Sequence, residues 1–356
     1  MGLTVSDDFW SAQDTNPDAI EAALRMLLHE RHAANEALAP ARVINLVVVV
    51  DREWKGEVAN RLGRVGRYIA SRTVLCAVQD DRRTLDAIAT VTHSEPQPGM
   101  LGVMHERVEI DMGAEHLPAL LTIVDPVLVG EIPTVVWSPH GHHEAVDALL
   151  PVMDVVLVDS DDGDEPAEAF SRAERLRRHA YVVDLAWLRT TPWRERLAAS
   201  FDMPSRLRQL AGITRLDVRH RDGSRASALL LAGWLASRLA WDCGPLRSAG
   251  PVLDGFASRG EDRVEIGLEP SEQDAPGLVG VTVSCDDGAS LALQRGRGGL
   301  DAVEHRTSGE DRRWKILGAS RGEGGILGEG LRQALLRDPT YVPALDAARA
   351  LTPVPA

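Results

Sequence analysis

Three stretches of this 356-residue chain place side chains where their types and spacing could do chemistry. His140-Gly141-His142-His143-Glu144 gathers three imidazoles and a carboxylate, the donor types of a zinc site. Its spacing is not that of two histidines one turn apart on a helix, so the run reads as a solvated loop entering a helix. Asp159-Ser160-Asp161-Asp162-Gly163-Asp164-Glu165 offers calcium-type oxygens, but a calcium loop in this register needs glycine at Asp164 and glutamate at Phe170. The acidic run is therefore expected to cap a helix. Gly322-Glu323-Gly324-Gly325 stands before a helix, where backbone N–H groups could hold a phosphate. No strong strand leads into it and no Lys-Ser or Lys-Thr follows, so it predicts no nucleotide site, and Gly296-Arg297-Gly298-Gly299 reads as a hairpin turn. With no Gly-x-Ser-x-Gly elbow, paired-carboxylate signature or Cys-x-x-Cys, the expectation is a chain without catalytic residues, cofactor or metal.

One basic constellation stands out. Residues 41–75 carry seven basic and three acidic side chains, in a chain whose formal charge is −14. Arg61, Arg64 and Arg67 fall on the side of a predicted helix away from its apolar stripe, and Arg72 opens the next strand. Clustered guanidinium groups suit a phosphorylated ligand or the acidic face of a partner, so a sugar-phosphate sensor or enzyme is the alternative reading. The plainer reading is a solvated helix face paired with local acids.

The acidic balance argues against duplex nucleic acid as a partner. No apolar stretch reaches the ~18–20 residues that span a bilayer, and the N-terminus lacks the pattern of a signal peptide. A cytoplasmic protein with no membrane partner is expected. Cys76, Cys243 and Cys285 lie far apart and form no metal-ligand spacing or disulfide framework. Lys55 and Lys315 are the only lysines, a bias that matches an excess of Ala, Arg and Gly.

These residues must be positioned by recognisable elements. Ile44-Asn45-Leu46-Val47-Val48-Val49-Val50 is a β-branched run of strand length, ended by Asp51, and reads as a central strand covered on both faces. Trp54, Val58, Leu62, Val65 and Ile69 then follow at helical spacing, and a second strand begins near Arg72. A leading helix starts at Asn16-Pro17 and ends near Pro40. Residues 85–92 and 101–111 alternate as half-exposed antiparallel strands, residues 117–124 form a helix, and 132–137, 155–159 and 181–184 are further strands separated by helices at 141–150 and 165–179. A helical stretch holding Trp187, Trp193 and Phe201 is broken at Pro192 and Pro204. Another strand follows at 213–218, and 226–241 is a helix apolar nearly all round, as expected of one enclosed in protein.

From Cys243 onward the chain changes to short strands at 264–268, 278–284, 291–295 and 302–305, closed by a helix at 326–337. The expected fold is α/β: a layered, mostly parallel mixed sheet with flanking helices, plus a smaller strand-rich α+β domain. The expected divisions are a docking segment over 1–40, an α/β domain over 41–242 and the α+β domain over 243–356.

The order of four motifs carries a resemblance. Arg42-Val43-Ile44-Asn45-Leu46-Val47-Val48, Ala70-Ser71-Arg72-Thr73, Ile132-Pro133-Thr134-Val135-Val136-Trp137 and the helix Ala228 to Leu239 together resemble the glucose-6-phosphate dehydrogenase assembly protein family, OpcA. The resemblance runs from about residue 40 to the C-terminus. It implies a non-enzymatic protein that binds glucose-6-phosphate dehydrogenase and promotes its active oligomer in the oxidative pentose phosphate pathway. Where the family shows His-Pro-Ser-Arg or similar, this chain keeps Ser71-Arg72, and where it shows Trp-Trp, Trp137 precedes Ser138. Ser71, Arg72 and Trp137 match the family positions and, with Arg64 and Arg67, are the candidate contacts. The family's association with thiol control in photosynthetic bacteria is not carried over, because Cys76 reads as a small buried hydrophobe.

Overall fold

The β-branched run at 44–50 is the centre of a nine-stranded sheet in the computed structural model, which describes residues 6–36, 38–40, 42–65, 69–93, 102–163, 165–202, 204–318 and 322–353. In chain order the strands are β1 (Ser6–Ala12), β2 (Leu38–Pro40), β3 (Ile44–Asp51), β4 (Ser71–Val78), β5 (Asp86–His93), β6 (Gly102–Met112), β7 (Thr134–Trp137), β8 (Val155–Val158) and β9 (Tyr181–Asp184). Across the sheet they run β1, β5, β6, β4, β3, β7, β8, β9, with β2 beside β6. Residues 44–50 of β3 are all buried, as expected of a strand with both faces covered. β3 pairs in parallel with β4 on one side and β7 on the other, so the chain leaves it in both directions. β5 and β6 are antiparallel to each other as their alternation predicts, while β6 also runs parallel to β4.

Asn45 is the one polar residue in the buried run. Its side-chain amide donates to Val129 O at 2.9 Å and its Oδ1 accepts from Val129 N at 3.0 Å, fixing the loop that leads into β7. The first five helices are α1 (Pro17–Ala34), α2 (Lys55–Val65), α3 (Leu120–Val124), α4 (His143–Ala148) and α5 (Pro166–Leu176). Asn16 caps α1 by accepting from Ala19 N at 3.0 Å, and α1 packs on β5. α2 buries Val58, Leu62 and Val65 as its stripe predicts, but Trp54 sits in a 3-10 turn ahead of the helix and is exposed.

The second sheet holds β10 (Ile213–Arg221), β11 (Asp242–Cys243), β12 (Arg247–Ala249), β13 (Val252–Arg259), β14 (Asp262–Ser271), β15 (Leu278–Cys285), β16 (Ser290–Gly296), β17 (Gly299–His305) and β18 (Asp311–Leu317). The remaining helices are α6 (Leu185–Phe201), α7 (Pro204–Ala211), α8 (Arg225–Arg238), α9 (Glu323–Gln333) and α10 (Tyr341–Leu351). Here the structure differs from the sequence reading in two respects. β10 lies inside the second sheet, parallel to β14 and antiparallel to β15, so the change of domain falls well before residue 243. One compact unit takes the chain to residue 158 with 176–183 and 331–335; the other takes 159–175, 184–330 and 336 onward. A strand followed by a helix has the same local pattern in either sheet, and only its distant partners decide. α6 also continues through Pro192, because burial of Trp187, Leu188 and Trp193 on either side outweighs the lost backbone hydrogen bond.

α8 is enclosed as its composition predicts, packing on β10, β14, α6 and α10. Gly233 lets α10 approach closely: a Cβ there would lie 2.4 Å from Ala344 O and 2.6 Å from Ala348 N. The acidic run at 159–162 does more than lead into a helix. Asp159 holds Arg189 through both oxygens at 2.7 Å, Glu323 reaches the same guanidinium at 2.7 Å, and Asp161 accepts from Ser227 N at 3.0 Å and Ser227 Oγ at 2.5 Å. Nearby Asp184, 1 % exposed, accepts from Ser160 N and Oγ, Ala186 N and Tyr341 OH.

Two measurements test this packing. Gly233→Ala forces two helix backbones apart and is expected to cost about 1–3 kcal/mol in chemical denaturation; an unchanged midpoint would contradict the close approach. Burial pushes the Asp184 carboxyl up to about 6, and burial with the neighbouring Asp159 raises Asp161. The folded state then keeps protons that the unfolded chain releases from near pH 4, so these groups make stability fall as pH rises from about 4 to 6 and above. Asp184→Asn is expected to flatten the slope of stability between about pH 4 and 6 relative to the unsubstituted chain.

Candidate partner-recognition surface

The contacts proposed from the sequence separate into surface and interior. Arg64 is exposed at the last turn of α2, and Arg67 lies outside the described residues. Arg61 is held by Glu57 one turn back, at 2.5 Å. Ser71 is half-buried with its hydroxyl 3.1 Å from that of Thr73. Arg72 is buried: its Nε donates to Glu106 at 2.6 Å and its Nη1 to Val127 O at 2.9 Å, while Arg42 binds the other oxygen of Glu106. Burial lowers the Arg72 pKa and the Glu106 charge opposes that shift. Trp137, only 3 % exposed, ends β7 in the core. The guanidinium groups of Arg61 and Arg72 are therefore taken up by separate carboxylates, and of the contact candidates among the described residues only Arg64 is exposed.

A different group of residues meets at the carboxyl ends of β3 and β7, where parallel α/β sheets place their ligands. Trp54, 38 % exposed, stacks on His140 with ring centroids 4.9 Å apart and planes inclined by 21°. His142 Nε2 lies 3.0 Å from Asp51 Oδ1, and Ser138 Oγ donates to Val49 O at 3.2 Å. Two successive residues with positive φ, His140 at 67° and Gly141 at 90°, form the tight turn that carries these imidazoles. His140 and His142 are thus occupied by an indole and a carboxylate. Among the described residues no three His, Cys, Asp or Glu side chains gather to hold a metal.

The electrostatics of this crest differ from those of a phosphate site. β3 enters α2 through Asp51-Arg52-Glu53-Trp54-Lys55, and the first glycine, Gly56, already lies inside the helix, so the turn itself has no glycine to let backbone approach a pyrophosphate. Asp51, Glu53 and Glu57 place carboxylates at the helix start, where bound phosphate would otherwise meet free N–H groups. Lys55 turns inward to Glu109 at 3.0 Å and Asp111 at 2.8 Å. Sequence reasoning assigned Trp54 to the core stripe and Asp51 to the end of a strand. The usable signal was their position just after the first strand of a parallel sheet. Burial pushes the Cys76 thiol up to about 12, and burial raises Cys243 and Cys285 to about 11, so all three are protonated at neutral pH.

Comparison with known proteins assigns the family. Residues 33–175 match the family described as glucose-6-phosphate dehydrogenase subunit N-terminal domain, and residues 180–345 match the corresponding C-terminal domain. The chain belongs to this OpcA family. Among curated relatives, each named "Putative OxPP cycle protein OpcA", that of Synechococcus elongatus is 29 % identical over 182 residues, 49 % of this chain and 41 % of that one. The Nostoc punctiforme protein is 31 % identical over 140 residues, 38 % of this chain and 30 % of that one, so the matches span under half of these relatives. Among solved structures, Gal80p from Kluyveromyces lactis has a TM-score of 0.45 at 7 % identity over 87 % of each chain, and a Saccharomyces cerevisiae Gal80p mutant has 0.48 at 9 % over 87 % of this chain and 94 % of that one. No described helix is long and apolar enough to cross a membrane.

The interior position of Arg72 makes its removal a stability measurement. Arg72→Ala leaves Glu106 with Arg42 as its remaining guanidinium partner and is expected to cost about 1.5–3 kcal/mol in denaturant titration. A loss of partner binding at unchanged stability would instead show that Arg72 acts at the surface.

Proposed function

We propose that this chain is a non-enzymatic assembly factor that binds glucose-6-phosphate dehydrogenase and favours its active oligomeric state. The observation that carries the reading is the crest at the ends of β3 and β7, where an indole and carboxylates stand in place of a phosphate-binding turn. A surface of that kind suits recognition of another protein better than turnover of a nucleotide. The family description, which names a dehydrogenase subunit, supplies the partner.

The mechanism needs no chemistry from this chain. Binding the assembled dehydrogenase more tightly than its dissociated subunits shifts the population by that difference in affinity. Arg64 is a proposed contact because it is exposed, and Ser71, Arg72 and Trp137 then hold the first unit's shape beneath the surface. Adding the purified chain to the dehydrogenase is expected to raise its activity and move its mass distribution toward the larger oligomer, read by coupled NADPH formation and mass photometry. If activity, substrate affinity and oligomer size all stay unchanged, the assembly role is wrong.

A further inference from the structure

The crest also has a sign, and the sign selects a partner chemistry. Trp54 is stacked on His140 and still leaves more than a third of its surface to solvent. Asp51 gives one oxygen to His142, its side chain is 45 % exposed, and Oδ2 accepts no hydrogen bond from the described residues. Glu53, beside Trp54 in the same turn, is exposed, as is Glu144 at the start of α4. Of the nearby cations, Lys55 is buried in its own ion pairs and Arg52 stands 3.8 Å from Asp111. An exposed indole in the same turn as two carboxylates suits a planar cation: a guanidinium can stack on a ring while its N–H groups donate to carboxylate oxygens.

We propose that this crest docks an arginine presented by a basic surface of the partner protein, with Trp54 as the stacking platform and Asp51 and Glu53 as acceptors. This rests on the assembly reading above. It reverses the polarity suggested by the arginine-rich segment in the sequence, since Arg61 and Arg72 are spent on Glu57 and Glu106. Charge complementarity decides the occupant: an anionic ligand would face Asp51 and Glu53, whereas an arginine gains from both.

The test measures affinity of the full chain for glucose-6-phosphate dehydrogenase by interferometry. Trp54→Ala is expected to weaken binding by about 30-fold or more, as a central aromatic contact does, with an unchanged melting temperature. The double variant Asp51→Asn with Glu53→Gln is expected to weaken binding and reduce its dependence on salt. Arginine ethyl ester should compete with the complex more strongly than lysine ethyl ester at equal ionic strength; equal competition overturns the guanidinium assignment. Wild-type binding with both variants binding as tightly removes the crest proposal and leaves the assembly reading standing. No binding by the unsubstituted chain removes the assembly reading and the crest with it.

Discussion

The first unit depends on one constraint: a strand buried on both faces must satisfy every backbone group sideways, through neighbours in its own sheet. β3 does this with β4 and β7, both parallel to it. Because β3 has a parallel neighbour on each side, the loops after β3 and β7 lie side by side at their carboxyl ends, where Trp54 stacks on His140 and Asp51 meets His142. The crest residues are placed there by topology. What they do is then decided by their own chemistry, and here the turn after β3 carries acids and an indole instead of glycines.

Polar groups in the interior serve this scaffold. Asn45 fixes the approach to β7, Glu106 binds Arg42 and Arg72, and Lys55 is divided between Glu109 and Asp111. Buried ion pairs add little net stability compared with apolar packing, but breaking one leaves a buried charge without its partner. In the second unit Arg189 has the same role among Asp159, Asp161 and Glu323. Burial, with a smaller contribution from the Asp159 charge, raises the carboxyl of Asp184 beside that cluster.

Local pattern was enough to find β3, α2, β4 and the enclosed α8, since each has a long, unambiguous apolar period. It also gave β5 and β6 as an antiparallel pair. It failed where non-local pairing decides: β10 has the same alternation in either sheet, and Pro192 breaks a helix only if packing allows. β13 and β18 were overlooked because exposed charged residues interrupt their alternation, and α10 because much of its buried stripe is alanine. The site was less legible than the fold. Arg72 and Trp137 look like surface recognition residues by type, but their strands carry them into the interior; Trp54 looks like core by spacing, but the turn before α2 leaves it outside.

The inward turn of Lys55 has a further consequence. With Lys315 in β18 the only other lysine, the described part of the first unit offers no free side-chain amine to solvent. Acylation, ubiquitin ligation and amine-directed labels therefore have no lysine foothold on the described part of the crest.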